Sequence, residues 1–120
     1  MILNYFKLDG ESSQGENIAD NGGLKVAYQA YIEWTDRNMV TEYRLPGLDY
    51  KPEQVFWISA ANIWCSKYRS EYLKNVVSTD VHSPGEFRVI GTFSNMKEFS
   101  NDFNCPIGSR MNPINKCTVW

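Results

Sequence analysis

Gly15-Glu16-Asn17-Ile18-Ala19-Asp20-Asn21-Gly22-Gly23-Leu24 opens a helical pattern and sets two carboxylates, Glu16 and Asp20, four residues apart. On a helix that spacing stacks them on one face, one turn apart. Like charges so placed repel unless a cation or a donor stands beside them. Two arrangements meet that need. One is a helix N-terminus, where acidic residues suit the macrodipole. The other is a divalent metal held by Glu16, with Asp20 orienting the imidazole of another ligand.

The pattern continues outward from this stretch. Ser12 and Ser13 stand where N-caps belong, after an Asp9-Gly10 turn. The first long helix is expected over residues 13–38, with Ala27, Ala30, Tyr31 and Trp34 as its buried face. Gly22-Gly23 within it implies close approach of a neighbouring element or a local break, because each glycine costs about 1 kcal/mol relative to alanine. Leu45-Pro46-Gly47 reads as a loop. Pro52 opens a second helix, apolar over most of its circumference from Val55 to Trp64 and hence central. A more polar helical piece covers 69–77, a loop covers 78–85, and Phe87 to Phe93 reads as a short extended segment. Asn95 and Glu98 have capping-box spacing for a last helix through about Phe103. A tail punctuated by proline and glycine closes the chain.

A chain of 120 residues can form one small domain with a modest core. Its 42% hydrophobic content excludes a disordered chain, and a net charge of −2 favours neither nucleic acid nor an anionic membrane. No apolar run approaches the length of a bilayer span, and residues 1–8 do not read as a secretory leader. The three cysteines cannot all pair with one another.

The wording of the opening stretch, Glu16-Asn17-Ile18-Ala19-Asp20-Asn21-Gly22-Gly23-Leu24, resembles the third-zinc-ligand motif of the neprilysin family of zinc metallopeptidases, which includes the endothelin-converting enzymes. The resemblance extends to Leu8-Asp9-Gly10, Leu45-Pro46-Gly47-Leu48, Trp64-Cys65 with Arg69 and Glu71, Asp80-Val81-His82-Ser83-Pro84-Gly85 with Phe87-Arg88, Met111-Asn112-Pro113, and Cys117 with Val119-Trp120. These run in the family's order over nearly the whole chain.

The resemblance implies a mainly α fold, the C-terminal helical part of a thermolysin-like (gluzincin) peptidase domain, with residues 1–120 as an incomplete portion of it. It implies one Zn2+ ion in the complete enzyme, with Glu16 as third ligand and Asp20 orienting a zinc histidine. His82 would donate to the oxyanion formed during peptide hydrolysis, with Asp80 holding its ring. Arg88 would bind a substrate carbonyl and anchor Asp20. Ile63 and Trp64 would wall the pocket for a large apolar side chain just after the scissile bond; ordinary core packing is the other reading of that pair. Cys65, Cys105 and Cys117 would form disulfides with cysteines upstream of this segment.

His82 is the sole histidine, so the His-Glu-x-x-His pair that such a site needs is not in this chain. The function that the resemblance implies is that of a metalloendopeptidase cutting peptides on the amino side of large hydrophobic residues. Its partners are peptide substrates and the upstream half of the same domain, and not nucleic acid. This segment is expected to be inactive alone. The resemblance places the complete protein outside the cell, as a type II membrane protein or in secreted form. The alternative is a non-catalytic shortened paralogue that acts as a binding module.

Overall fold

The computed structural model describes residues 2–3, 6–39, 41 and 43–119. Met1, Asn4 and Tyr5 of the segment read against a secretory leader, and Trp120 of the closing motif, lie outside the described residues. Two short antiparallel strands come first, β1 (Ile2–Leu3) and β2 (Phe6–Lys7), with Ile2 opposite Lys7 and Leu3 opposite Phe6. Five helices follow: α1 (Gln14–Arg37), α2 (Pro52–Asn62), α3 (Ser70–Thr79), α4 (Gly85–Asn95) and α5 (Lys97–Asp102). The fold is mainly α, as the sequence implies.

Asp9 builds the entrance to α1. Its carboxylate accepts from the Glu11 N–H (3.0 Å) and the Ser12 hydroxyl (2.6 Å). Its carbonyl accepts from the Ser13 hydroxyl (2.8 Å). Ser13 thus occupies the N-cap position without capping through its own side chain. The helix runs unbroken through Gly22-Gly23. Gly22 is buried, whereas Gly23 faces open space, so close packing is confined to one of the two. At the other end Asn38 Nδ2 donates to the Trp34 carbonyl, and Met39 turns the chain out with φ 49°.

The buried stripe of α1 is Leu24 and Tyr28, flanked by Tyr31 and Ile32. Ala27, Ala30 and Trp34 are exposed. The expected face was therefore rotated: Tyr31 lies at its shared edge, and the larger anchors one turn earlier set the orientation.

Those anchors meet Trp57 of α2, which is 1% exposed, and Phe93 and Met96 at the end of α4. Tyr28 stacks on Trp57 at 4.6 Å between ring centroids, and Phe93 and Phe99 meet the indole edge-on. Asp102 ties the cluster together. One carboxylate oxygen, Oδ2, accepts from Tyr28 Oη (2.8 Å) and Trp57 Nε1 (2.6 Å), while the Asp102 carbonyl accepts from Gln54 Nε2 (2.9 Å). Helices α1, α2 and α5 thus converge on one residue.

The apolar helix α2 is covered on part of its circumference: Trp57 is buried, while most of its neighbours are half-buried. Its open side forms, with Leu24 and Tyr31 of α1, an apolar groove of about 690 Å³.

Residues 87–93, expected to be extended, lie within α4. The first turn is closed by Phe87 N–H and Arg88 N–H donating to the Pro84 carbonyl. Val89, Phe93 and Met96 then form a core-facing stripe at helical spacing, which overrides the β preference of the Val89-Ile90-Gly91-Thr92 run. Asn95 does not cap α5. It ends α4, and Met96 holds the N-cap position of α5 with no side-chain cap. The Asn95 amide instead donates to Asn21 Oδ1 (2.9 Å) and accepts from the Cys117 N–H (3.1 Å), fastening the tail to α1.

Candidate active site

The face of α1 that carries Glu16 and Asp20 turns toward the loop before α4 and toward α4 itself. Asp20 is nearly buried, at 8% side-chain exposure, and Arg88 holds both its oxygens. Nε donates to Oδ2 at 2.7 Å and Nη2 to Oδ1 at 2.6 Å. This bidentate pair supplies the cation that the Glu16–Asp20 spacing calls for. It also raises the pKa of the Arg88 guanidinium, chiefly through the Asp20 hydrogen bonds and against the opposing effect of burial. The guanidinium lies 5.2 Å from the centroid of the Trp64 ring, which fixes its other side.

Glu16 and His82 meet one turn earlier. His82 Nε2 lies 3.2 Å from Glu16 Oε2, and the two side chains are 45% and 41% exposed. The other ring nitrogen, Nδ1, faces Asp80 Oδ1 at 2.9 Å. The same Asp80 oxygen accepts from the His82 backbone N–H at 2.8 Å. That backbone bond, more than the ring contact, holds the Asp80 carboxyl below the usual carboxylate range. Each imidazole nitrogen therefore faces a carboxylate oxygen, and the ring plane is set by both.

A cleft of about 340 Å³ opens beside these groups, lined by Ile63, Trp64, His82, Ser83 and Arg88 among others. Ile63 is 75% exposed and borders both this cleft and the apolar groove along α2. Ile63 is thus not a core residue, whereas Trp64 is half-buried against the core cluster as well as under Arg88. The structure brings Glu16, Asp20, His82, Asp80, Arg88, Ile63 and Trp64 into one region. Cys65, Cys105 and Cys117 are free thiols, with Cys65 and Cys117 exposed.

Among the described residues no group of three or more histidine, cysteine, aspartate or glutamate side chains is arranged to hold a metal ion. The residues present fit zinc in part: Glu16 is a solvent-reachable carboxylate of the kind that completes a two-histidine site. Asp20, with both oxygens on Arg88, fits a supporting place better than a ligating one.

Four residues in this region were given no role in the site by the sequence. Ser83 and Ser13 are buried, and Asn17 bridges them. Gly85 packs so closely on the Trp64 carbonyl that any side chain would collide with it. The Ser13–Asn17 spacing of one helical turn was a readable signal; the Ser83 contact, 66 residues distant in sequence, was not.

Comparison with known proteins gives a concordant set of matches. The family model "Peptidase family M13" matches residues 3–119. Neprilysin-2 of Drosophila melanogaster is 58% identical over 113 residues, which cover 94% of this chain and 14% of that protein. An endothelin-converting enzyme homolog of Locusta migratoria is 52% identical over 113 residues, covering 94% and 15%. A solved structure described as the Haemonchus galactose containing glycoprotein complex superimposes with a TM-score of 0.90 at 40% identity, over 94% of this chain and 20% of that one. The chain therefore spans about one seventh of the length of the curated relatives it matches.

Proposed function

The chain belongs to peptidase family M13, and on that premise we propose that it is the C-terminal portion of the catalytic domain of a neprilysin-like zinc metalloendopeptidase. The complete enzyme hydrolyses peptides on the amino side of large hydrophobic residues, outside the cell or at its surface. The observation that carries this reading is the convergence of Glu16, His82, Asp80, Asp20 and Arg88, from two distant motifs, beside one cleft.

In this reading Glu16 is a zinc ligand, joined by two histidines from the upstream half of the domain. The zinc ion, when bound, supplies a Lewis acid that polarises the scissile carbonyl. His82 donates from Nε2 to the oxygen that gains negative charge, a contact worth most in the transition state. Asp80 accepts from Nδ1 and holds the ring; in the doubly protonated imidazolium form Nε2 carries a proton as well and can donate. Asp20 orients one of the zinc histidines, and Arg88 keeps that carboxylate in place while its remaining N–H groups are available to a substrate carbonyl. Ile63 and Trp64 form one wall of the pocket for the side chain after the cut bond. Cys65, Cys105 and Cys117 pair with upstream cysteines. The segment alone does not hydrolyse peptides, because it lacks the two zinc histidines and the general base.

The test is substitution in the complete enzyme carrying this segment. Glu16→Ala abolishes zinc binding and hydrolysis together. His82→Ala keeps stoichiometric zinc and lowers kcat roughly 10²- to 10³-fold, the cost of one oxyanion donor. Loss of zinc in His82→Ala with retention in Glu16→Ala would reverse the two roles.

A further inference from the structure

We infer that Asn17 and Ser83 form a clamp that positions His82 against Glu16, making both positioning residues of the peptidase site. The inference rests on the function proposed above. Asn17 follows Glu16 in sequence, and Ser83 follows His82. Ser83 Oγ donates to Asn17 Oδ1 at 2.9 Å, so one hydrogen bond joins the residues adjacent to the two groups whose relative placement the site depends on.

The surroundings make this bond a fixed one. Ser83 is buried, and the Asn17 amide is held from its other end, where Nδ2 donates to Ser13 Oγ at 3.1 Å. Ser13 is itself buried and donates to the Asp9 carbonyl at 2.8 Å. The hydrogen bonds run from Ser83 through Asn17 and Ser13 to the accepting carbonyl of Asp9, which lies in a turn closed by its own side-chain bonds. An asparagine suits the middle position because it accepts at one atom and donates at the other. Leaving either partner without its bond inside the protein is costly.

Among the described residues the loop that carries His82 has few other polar ties to α1. The Asp80–His82 bonds lie within the loop, so they shape it without attaching it to α1. Pro84 restricts Ser83 to extended backbone, and Gly85 seats the start of α4 on the Trp64 carbonyl. Among the described residues the Ser83–Asn17 bond is a neutral link between the loop and α1. The Glu16–His82 contact itself spans exposed groups and falls to solvent competition. Cutting the clamp lets the imidazole drift while Glu16, anchored in α1, stays.

The experiment uses the complete zinc peptidase that carries this segment, with Asn17→Ala, Ser83→Ala and the double variant. A displacement of about 1 Å at a reacting group costs up to roughly a hundredfold, so each single variant lowers kcat about ten- to a hundredfold. KM stays within about twofold and zinc stoichiometry is unchanged, because neither substrate nor metal contacts are removed. The double variant is no worse than either single one. Amide hydrogen exchange across residues 80–84 becomes faster in all three. Wild-type kcat in either single variant, loss of zinc along with kcat, or additive effects would overturn the clamp. A wild-type enzyme without chelator-sensitive hydrolysis would instead refute the peptidase reading, and unchanged exchange at residues 80–84 would then still refute the clamp on its own.

Discussion

Gly85→Ala pits two well-known effects of the same methyl group against each other. In an exposed helix the change is favourable by up to about 1 kcal/mol. At Gly85, however, the added Cβ would stand 2.4 Å from the Trp64 carbonyl oxygen, with Ser66 Oγ at 3.1 Å and Trp64 Cβ at 3.3 Å. A carbon–oxygen contact normally settles near 3.3 Å or beyond, so backbone must move by roughly 0.9 Å. Overpacking of that kind costs about 1–3 kcal/mol, which outweighs the propensity gain. Gly23→Ala is the internal control, since a Cβ there meets nothing within 4 Å. Urea denaturation of the chain should show the Gly23→Ala midpoint rising and the Gly85→Ala midpoint falling by the equivalent of about 1–2 kcal/mol. In the complete enzyme Gly85→Ala also lowers kcat, because the start of α4 carries Arg88 and adjoins Ser83. Two midpoints that rise together would refute the reasoning.

Other outcomes follow from the hydrogen-bond network and the titrating groups. Asp102→Ala strips the acceptor from a buried phenol and a buried indole and should destabilise the fold by about 3–5 kcal/mol, whereas Asp102→Asn, which keeps an oxygen, costs less; denaturant midpoints distinguish them. Tyr28 has its pKa raised, first by burial and then by the Asp102 hydrogen bond, so its stabilising contribution is complete below about pH 10 and is lost only as pH rises through the shifted value. In a spectrophotometric titration one tyrosine should therefore ionise after the others, and Tyr28→Phe should remove that late step. Asp80 has a depressed pKa, so its hold on the His82 loop is present above about pH 4 and lost as pH falls through the lower folded value. Hydrogen exchange at residues 80–84 should accelerate in acid, and Asp80→Asn should abolish that dependence. The chain alone should show no chelator-sensitive peptide hydrolysis; measurable turnover would refute the shared-site reading.

The sequence was most legible where local chemistry and tertiary packing agree. The extent of the long helix α1, its start after Ser13 and the start of α2 at Pro52 were legible from the cap position and the proline placement, although the buried face of α1 was not. Helix α4 was misread because Val89-Ile90-Gly91-Thr92 favours a strand locally, while Val89, Phe93 and Met96 answer to the core across a helical period. Asn95 had the right spacing for a cap, yet Asn21 and the Cys117 N–H offered it partners that no local pattern encodes. The same holds for Asp102, whose bond to Tyr28 spans 74 positions. In the candidate site, Glu16, Asp20, His82 and Arg88 were singled out by motif, and the Arg88–Asp20 tie with them, but the Ser83–Asn17 bond between the same elements was visible only in three dimensions.

Helix α1 acts as a length standard for the rest of the chain. Asp20 engages α4 through Arg88, and Tyr28, eight positions on, engages α5 and α2 through Asp102 and Trp57. Those two docking points stand roughly 12 Å apart along the axis and about 80° apart around it, from 1.5 Å and 100° per residue. Inserting or deleting a single codon between them would turn one docking point about 100° away from its partner, while a swap of side chains would leave both in register. Descendants of this gene should therefore vary at exposed positions between them such as Gly23 and Val26, and hardly at all in the number of residues from 21 to 27.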